Sequence, residues 1–199
     1  MAGAWPWPVA RGPGDRQQPE RNGRRMSGND GQLASQAPAK PPMAPWKIYA
    51  IAIAPVLLTL VLGQIATFPS LEPWYAGLRK PHFNPPNAVF GPVWTLLYAL
   101  MAFAIWRVLN LPKETVGKGL GVTLFYIQLA LNAGWSWLFF GAHSPLLGLV
   151  NIVIQLFFIV LTVSVFRRLD RVAALCLVPL LGWVAFATLL NFSIWKLNG

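Results

Sequence analysis

Five long apolar segments occupy residues 46 to 193, and their cores contain no Asp, Glu, Lys or Arg. Uncharged apolar runs of about 18 residues or more read as membrane-crossing helices. In lipid an isolated segment must satisfy its own backbone polar groups, and a helix does so. The runs cover roughly 46–67, 90–110, 119–140, 145–166 and 172–193. They predict an all-α membrane protein, a multi-pass bundle of five transmembrane helices within residues 43–199. Only 11% of the chain is charged, against about 25% in a soluble domain, so little material is left for a separate soluble unit.

A net charge of +10 raises the question of a nucleic-acid partner, and its placement answers it. Seven of the 16 Lys and Arg precede the first span, from Arg11 to Lys47. Arg107, Lys113 and Lys118 lie between spans two and three, and Arg167, Arg168 and Arg171 between spans four and five. The opposite face has Arg79, Lys80 and Lys196 alone. Such asymmetry marks cytoplasmic loops. It predicts a cytoplasmic N-terminus if the membrane is a bacterial inner membrane, with membrane lipids rather than nucleic acid as the partner of the basic residues.

Residues 1–42 are rich in Gly, Pro, Gln, Asn and Arg without an apolar period, and read as a disordered basic tail. Met26 and Met43 are alternative translation starts. The lone Cys176 falls inside the fifth span, so no disulfide framework and no Cys-rich metal site is available. Pro55 and Pro179 predict bends in the first and fifth spans. Ser144 followed by Pro145 reads as an N-cap and first helical position for span four. Residues 68–89 read as one long connection carrying five prolines, a candidate binding loop or lid.

Intramembrane carboxylates, His or basic residues usually accompany proton and ion coupling, and the span cores hold none. Nothing in the pattern suggests catalytic residues or a metal site. The spans hold aromatic and neutral polar groups instead, at helical spacing. Phe90, Trp94 and Tyr98 recur every four residues in span two. Gln128, Asn132, Trp135 and Ser136 share a face of span three. Asn151, Gln155 and Thr162 do so in span four, and Trp183, Ala187, Asn191 and Trp195 in span five. Interhelical hydrogen bonding and interfacial anchoring explain single residues of this kind. Trp94, Asn132, Trp135 and Trp183 all lie a few turns below the Pro-rich loop, and together they fit a pocket for a large, flat, apolar ligand. Arg79 and Lys80 at its mouth fit either ligand carboxylates or lipid headgroups. Ala130 and Gly134, four apart, fit a homodimer seam or a contact inside the bundle.

The run Trp74-Tyr75-x-x-Leu78-x-Lys80-Pro81-x-Phe83-x-Pro85-Pro86, continuing through Phe90-x-Pro92-Val93-Trp94-Thr95-x-x-Tyr98, resembles the signature of the TspO/MBR family. That family comprises the tryptophan-rich sensory proteins and translocator proteins. Gln128-Leu129-x-Leu131-Asn132-x-x-Trp135-Ser136 and Trp183-x-x-Phe186-Ala187, leading to Leu190-Asn191, are similar to two further blocks. The resemblance implies a five-helix bundle, commonly dimeric, with a cavity closed by the first loop. It also implies a porphyrin or haem as ligand, with no obligatory cofactor. On this chain the implied lining is Trp74, Tyr75, Pro86, Phe90, Trp94, Asn132, Trp135, Trp183, Ala187 and Asn191. The chain departs from the pattern at Phe192, where a sterol-recognition Tyr is often described, and at Phe83, often Trp in bacterial members. Three functions stay open: a tetrapyrrole sensor or receptor, a porphyrin transporter, and a light-dependent porphyrin-degrading enzyme.

Overall fold

The computed structural model describes residues 44–199, so the tail at 1–42 lies outside the described residues. Five helices follow one another: α1 (Pro45–Ser70), α2 (Asn87–Leu109), α3 (Lys118–Ser136), α4 (Pro145–Leu169) and α5 (Arg171–Asn198). No strand occurs among the described residues. α1, α2, α4 and α5 are long and apolar enough to cross a membrane. α3 is the exception among the five expected spans. It is the shortest at 19 residues, about 28 Å at the helical rise, and it carries Gln128, Asn132 and Ser136.

The helices close into a ring. α1 packs on α2 and α3, α2 also on α5, and α4 lies between α3 and α5. Large apolar side chains cover the outside, among them Leu57 and Leu58 of α1, Phe157 of α4, and Leu175 and Leu189 of α5. In water such a surface would drive association; here it faces hydrocarbon. Helices buried on one side and lipid-facing on the other are apolar all round. The inner face adds small and polar groups, among them Ala52, Ala104, Gln128, Asn132 and Gln155, to its apolar side chains. Met101, Ala104, Ile105, Phe125, Ile159, Phe166 and Ala173 form a fully buried interior, at the end of the bundle where α2 and α4 finish.

Contacts identify the two ends. At one, Arg107 pairs with Asp170 at 2.9 Å, and Lys118 donates to the last carbonyls of the α2 region, Leu109 O at 2.9 Å and Leu111 O. Asp170 also caps α5, accepting from the N–H groups of Val172 and Ala173. At the other end Asn198 grips the backbone of Arg79, donating to its carbonyl and accepting from its N–H at 2.9 Å each. Ser70 there donates to Phe140 O at 3.0 Å. The basic residues Arg107, Lys113, Lys118, Arg167, Arg168 and Arg171 therefore gather at one end, away from Arg79, Lys80 and Lys196.

Ser144 caps α4 as its sequence predicts, accepting from Leu147 N. α1 and α5 run unbroken through Pro55 and Pro179. The long connection expected at 68–89 is shorter. α1 continues to Ser70, Glu72 then breaks the helix with an extended backbone (φ −127°, ψ 133°), and Leu71–Tyr75 form one wide turn. Helical residues resume at 76 and 77, leaving an irregular stretch of 78–86 before α2. Apolar side chains at Leu71, Trp74, Tyr75 and Leu78 keep this segment folded against Phe139, Phe140 and Leu190.

Candidate functional site: an aromatic cavity inside the bundle

The aromatic and polar faces of the helices turn toward one cavity of about 340 Å³. All five helices contribute. α1 supplies Leu60, Gly63, Gln64 and Thr67, and α2 supplies Phe90, Gly91, Trp94 and Tyr98. From α3 and the wide turn after it, Trp137–Gly141, come Asn132, Trp135, Ser136, Phe139 and Phe140. Ile152 and Gln155 form the α4 wall, and Trp183, Val184, Ala187 and Asn191 the α5 wall. The wall on α1 runs from Leu60 to Phe68, about 12 Å along the helix. No Asp, Glu, Lys, Arg or His is on the lining.

Two hydrogen-bonded pairs fix the polar groups. Tyr98 donates from its hydroxyl to Asn132 Oδ1 at 2.7 Å, joining α2 to α3. Trp135 donates from its indole to Asn191 Oδ1 at 3.0 Å, and Asn191 donates onward to Pro145 O at 2.7 Å, joining α3, α5 and α4. Bonds between neutral groups in lipid are worth about 1 kcal/mol each, so their main effect is positional. The aromatic rings interlock as well. Phe90 meets Trp183 edge-on at 5.8 Å, Trp94 lies tilted on Tyr98 at 5.5 Å, and Trp135 stacks on Phe139 at 5.0 Å. Edge and offset arrangements of this kind are the favourable ones.

Glycines permit the close approach. A Cβ on Gly148 would lie 3.0 Å from Asn191 Oδ1 and 3.0 Å from Phe139 Cβ, and one on Gly63 would lie 3.3 Å from Ser136 Oγ. Gly134 faces Asn151 of α4 in the same way. Within the bundle, then, Gly134 serves an internal contact, while Ala130 is exposed.

Of the ten lining residues expected from the sequence, Tyr75, Phe90, Trp94, Asn132, Trp135, Trp183, Ala187 and Asn191 border the cavity. Trp74 and Pro86 do not. Trp74 turns to the loop between α3 and α4, stacking on His143 at 4.6 Å and meeting Phe139 and Phe140 edge-on. Ser70 contacts the His143 ring nitrogen Nε2 at 3.2 Å, completing a small cluster over that turn. Pro86 is exposed at the residue preceding α2.

Neither cation lines the cavity. Lys80 points its ammonium back at its own turn, donating to Tyr75 O at 2.6 Å and to Ala76 O and Leu78 O at 3.3 Å. It also sits 4.4 Å over the Tyr75 ring. It therefore fastens the turn that holds Tyr75 against the cavity. The Arg79 side chain is exposed at the same end. Gln64, Phe139, Phe140 and Gln155 are lining residues that the sequence reading did not nominate. Helical spacing places Gln155 on a polar face with Asn151 and Thr162, while Phe139 sits in the wide turn beyond the end of α3.

Comparison with known proteins gives a consistent result. The model of the TspO/MBR family matches residues 50–196. The chain is 50% identical over 125 residues to the tryptophan-rich protein TspO of Chlorobaculum tepidum, covering 63% of this chain and 79% of that one. It is 40% identical over 149 residues to the tryptophan-rich protein TspO of Archaeoglobus fulgidus, covering 73% and 95%. It is 38% identical over 128 residues to the human translocator protein, covering 63% and 75%.

Proposed function

The chain belongs to the TspO/MBR family of membrane proteins, and from that premise we propose that it is a membrane receptor or sensor for a tetrapyrrole, a porphyrin or haem. The observation that carries this is the cavity itself. Three tryptophans, Trp94, Trp135 and Trp183, form its walls, with a few neutral polar groups fixed between them and no charged side chain. Such a lining stabilises a flat apolar body by burying its faces and orients it through a small number of hydrogen bonds. Acid-base chemistry has no obvious partner on the lining, which favours binding over hydrolysis.

The cavity occupies the half of the bundle that carries the α1–α2 connection. If the basic end is cytoplasmic, in keeping with the charge asymmetry, the mouth faces the opposite side. A ligand would then enter past Tyr75 and the Lys80-fastened turn. A porphyrin's carboxylates would remain at the membrane surface near Arg79, since placing them deeper would leave a charge in a site without a counter-ion.

Titration of the detergent-purified protein with protoporphyrin IX, in the dark and then in light, tests the proposal. The expected result is saturable one-site quenching of tryptophan fluorescence with a stable porphyrin spectrum. No saturable quenching would overturn it. Light-driven bleaching over many turnovers would replace the receptor with an enzyme, and net porphyrin flux into proteoliposomes would replace it with a carrier.

A further inference from the structure

Gln155 is a deeply buried polar residue of the cavity wall whose amide nitrogen no protein atom satisfies. It lies on α4 ten residues past Pro145, about 15 Å below the end that carries the mouth. Its side chain is all but inaccessible at 1% exposure, it borders the cavity, and its Nε2 has no hydrogen-bond partner. Two pairs of polar lining residues are engaged with each other, Tyr98 with Asn132 and Trp135 with Asn191. The rest of the α4 wall is Ile152.

A buried amide donor without a partner is costly, and an apolar side chain of the same size would be the better choice for packing alone. Gln128 on α3 has an unpartnered Oε1, but it is not on the cavity lining and its Nε2 leans on Met101 Sδ at 3.8 Å. Of these two buried glutamines, Gln155 is the one on the cavity lining. We infer that Gln155 is a specificity-determining residue that donates a hydrogen bond to an acceptor on the innermost edge of the ligand. The acceptor it fits is uncharged, a ring carbonyl or ring nitrogen. A carboxylate there would meet neutral donors only and leave its charge uncompensated. The inference rests on the cavity being the ligand site and adds a selection among flat ligands. Those with an uncharged acceptor on the edge away from their carboxylates gain a hydrogen bond that protoporphyrin IX, whose ring nitrogens lie at its centre, does not make.

The test uses two flat probes that differ by one carbonyl, 9-fluorenone and fluorene, each titrated by tryptophan quenching against the full-length protein and Gln155→Met. Methionine keeps the length and flexibility of the side chain and removes the donor. Partition of each probe into detergent is common to both proteins, so the comparison of ratios isolates the amide. Wild-type protein should prefer fluorenone by about tenfold, and Gln155→Met should abolish that preference by weakening fluorenone alone. Equal ratios in the two proteins would overturn the inference. A second reading needs no variant: the infrared carbonyl band of bound fluorenone in wild type should fall below its position for the free ketone, and an unshifted band would overturn it. If protoporphyrin IX still saturates the wild type while the ratios agree, this inference fails and the cavity reading stands. If neither probe nor protoporphyrin IX binds, the cavity reading fails and takes this inference with it.

Discussion

Trp135 and Asn191 meet at 3.0 Å across the α3–α5 boundary, and Asn191 passes the connection to the first carbonyl of α4 at Pro145. One asparagine thus ties three helices at the level of the cavity. Replacing Asn191 by Leu removes both bonds and leaves the Pro145 carbonyl and the indole N–H unanswered. The expected cost is about 1–3 kcal/mol, read as a lower midpoint in thermal unfolding followed by circular dichroism in detergent. An unchanged midpoint would mean that packing alone holds these helices.

Gly148 lies against the same junction. Gly148→Ala puts a methyl 3.0 Å from Phe139 Cβ and from Asn191 Oδ1. Overpacking of this kind costs about 1–3 kcal/mol, and here it also pushes Phe139 toward the cavity. Protoporphyrin affinity should fall together with stability. Gly182→Ala, where nothing lies within 4 Å of the added atom, is the control and should change neither.

Trp94→Ala and Asn132→Ala should each weaken protoporphyrin binding about tenfold or more, at roughly 1–3 kcal/mol per lost stacking or hydrogen-bonding group. Helical content should hold. Asn132→Ala also releases the Tyr98 hydroxyl, so Tyr98→Phe is the informative companion: it isolates the loss of that orienting bond without opening a cavity. Unchanged affinity in both Trp94→Ala and Asn132→Ala would remove the cavity as the ligand site.

The periodic helices made most of this legible beforehand. Phe90, Trp94 and Tyr98, or Trp183, Ala187 and Asn191, project from one face because a four-residue spacing on an α-helix leaves no other geometry. Trp74 was not legible, because Glu72 leaves helical geometry just before it. No periodicity fixes the direction of a side chain beyond such a break. Lys80 misled for a related reason. A lysine at a loop reads as an exposed charge, while its three carbonyl partners arise only from the shape of the turn around Tyr75. The contrast between α3 and the other spans was legible in composition, since α3 is the shortest and least apolar of the five helices.

Acid should act on the far end of the bundle through Asp170. Burial pushes its carboxyl up, but the Ala173 N–H, the Arg107 guanidinium and the Val172 N–H outweigh this and hold it below the usual carboxylate range. A folded-state value below the unfolded one stabilises above about pH 4, and that contribution is lost as pH falls through the folded value. Thermal midpoints should therefore hold between pH 7 and 5 and decline below about pH 4. Asp170→Asn keeps an N-cap oxygen and loses the charge. It should be about 1 kcal/mol less stable at pH 7, as suits a partly exposed pair, and should narrow its gap to wild type in acid. A constant gap across the range would place the effect in the cap alone.

Arg79 and Lys80 separate electrostatic capture from loop structure. Lys80→Met removes the ammonium that ties Tyr75, Ala76 and Leu78 together, so it should loosen the mouth and weaken binding of charged and uncharged porphyrins alike. Arg79→Met leaves those bonds in place, because Asn198 holds the Arg79 backbone and not its side chain. Its effect should be confined to ligands with carboxylates. An exposed ion pair contributes about 0.2–1 kcal/mol, so protoporphyrin IX should bind up to about fivefold more weakly to Arg79→Met, with less dependence on salt. The dimethyl ester, which has no charge to pair, should bind both proteins equally. Equal loss for acid and ester would show that Arg79 shapes the mouth. No loss for either would put the porphyrin's carboxylates elsewhere on the membrane surface.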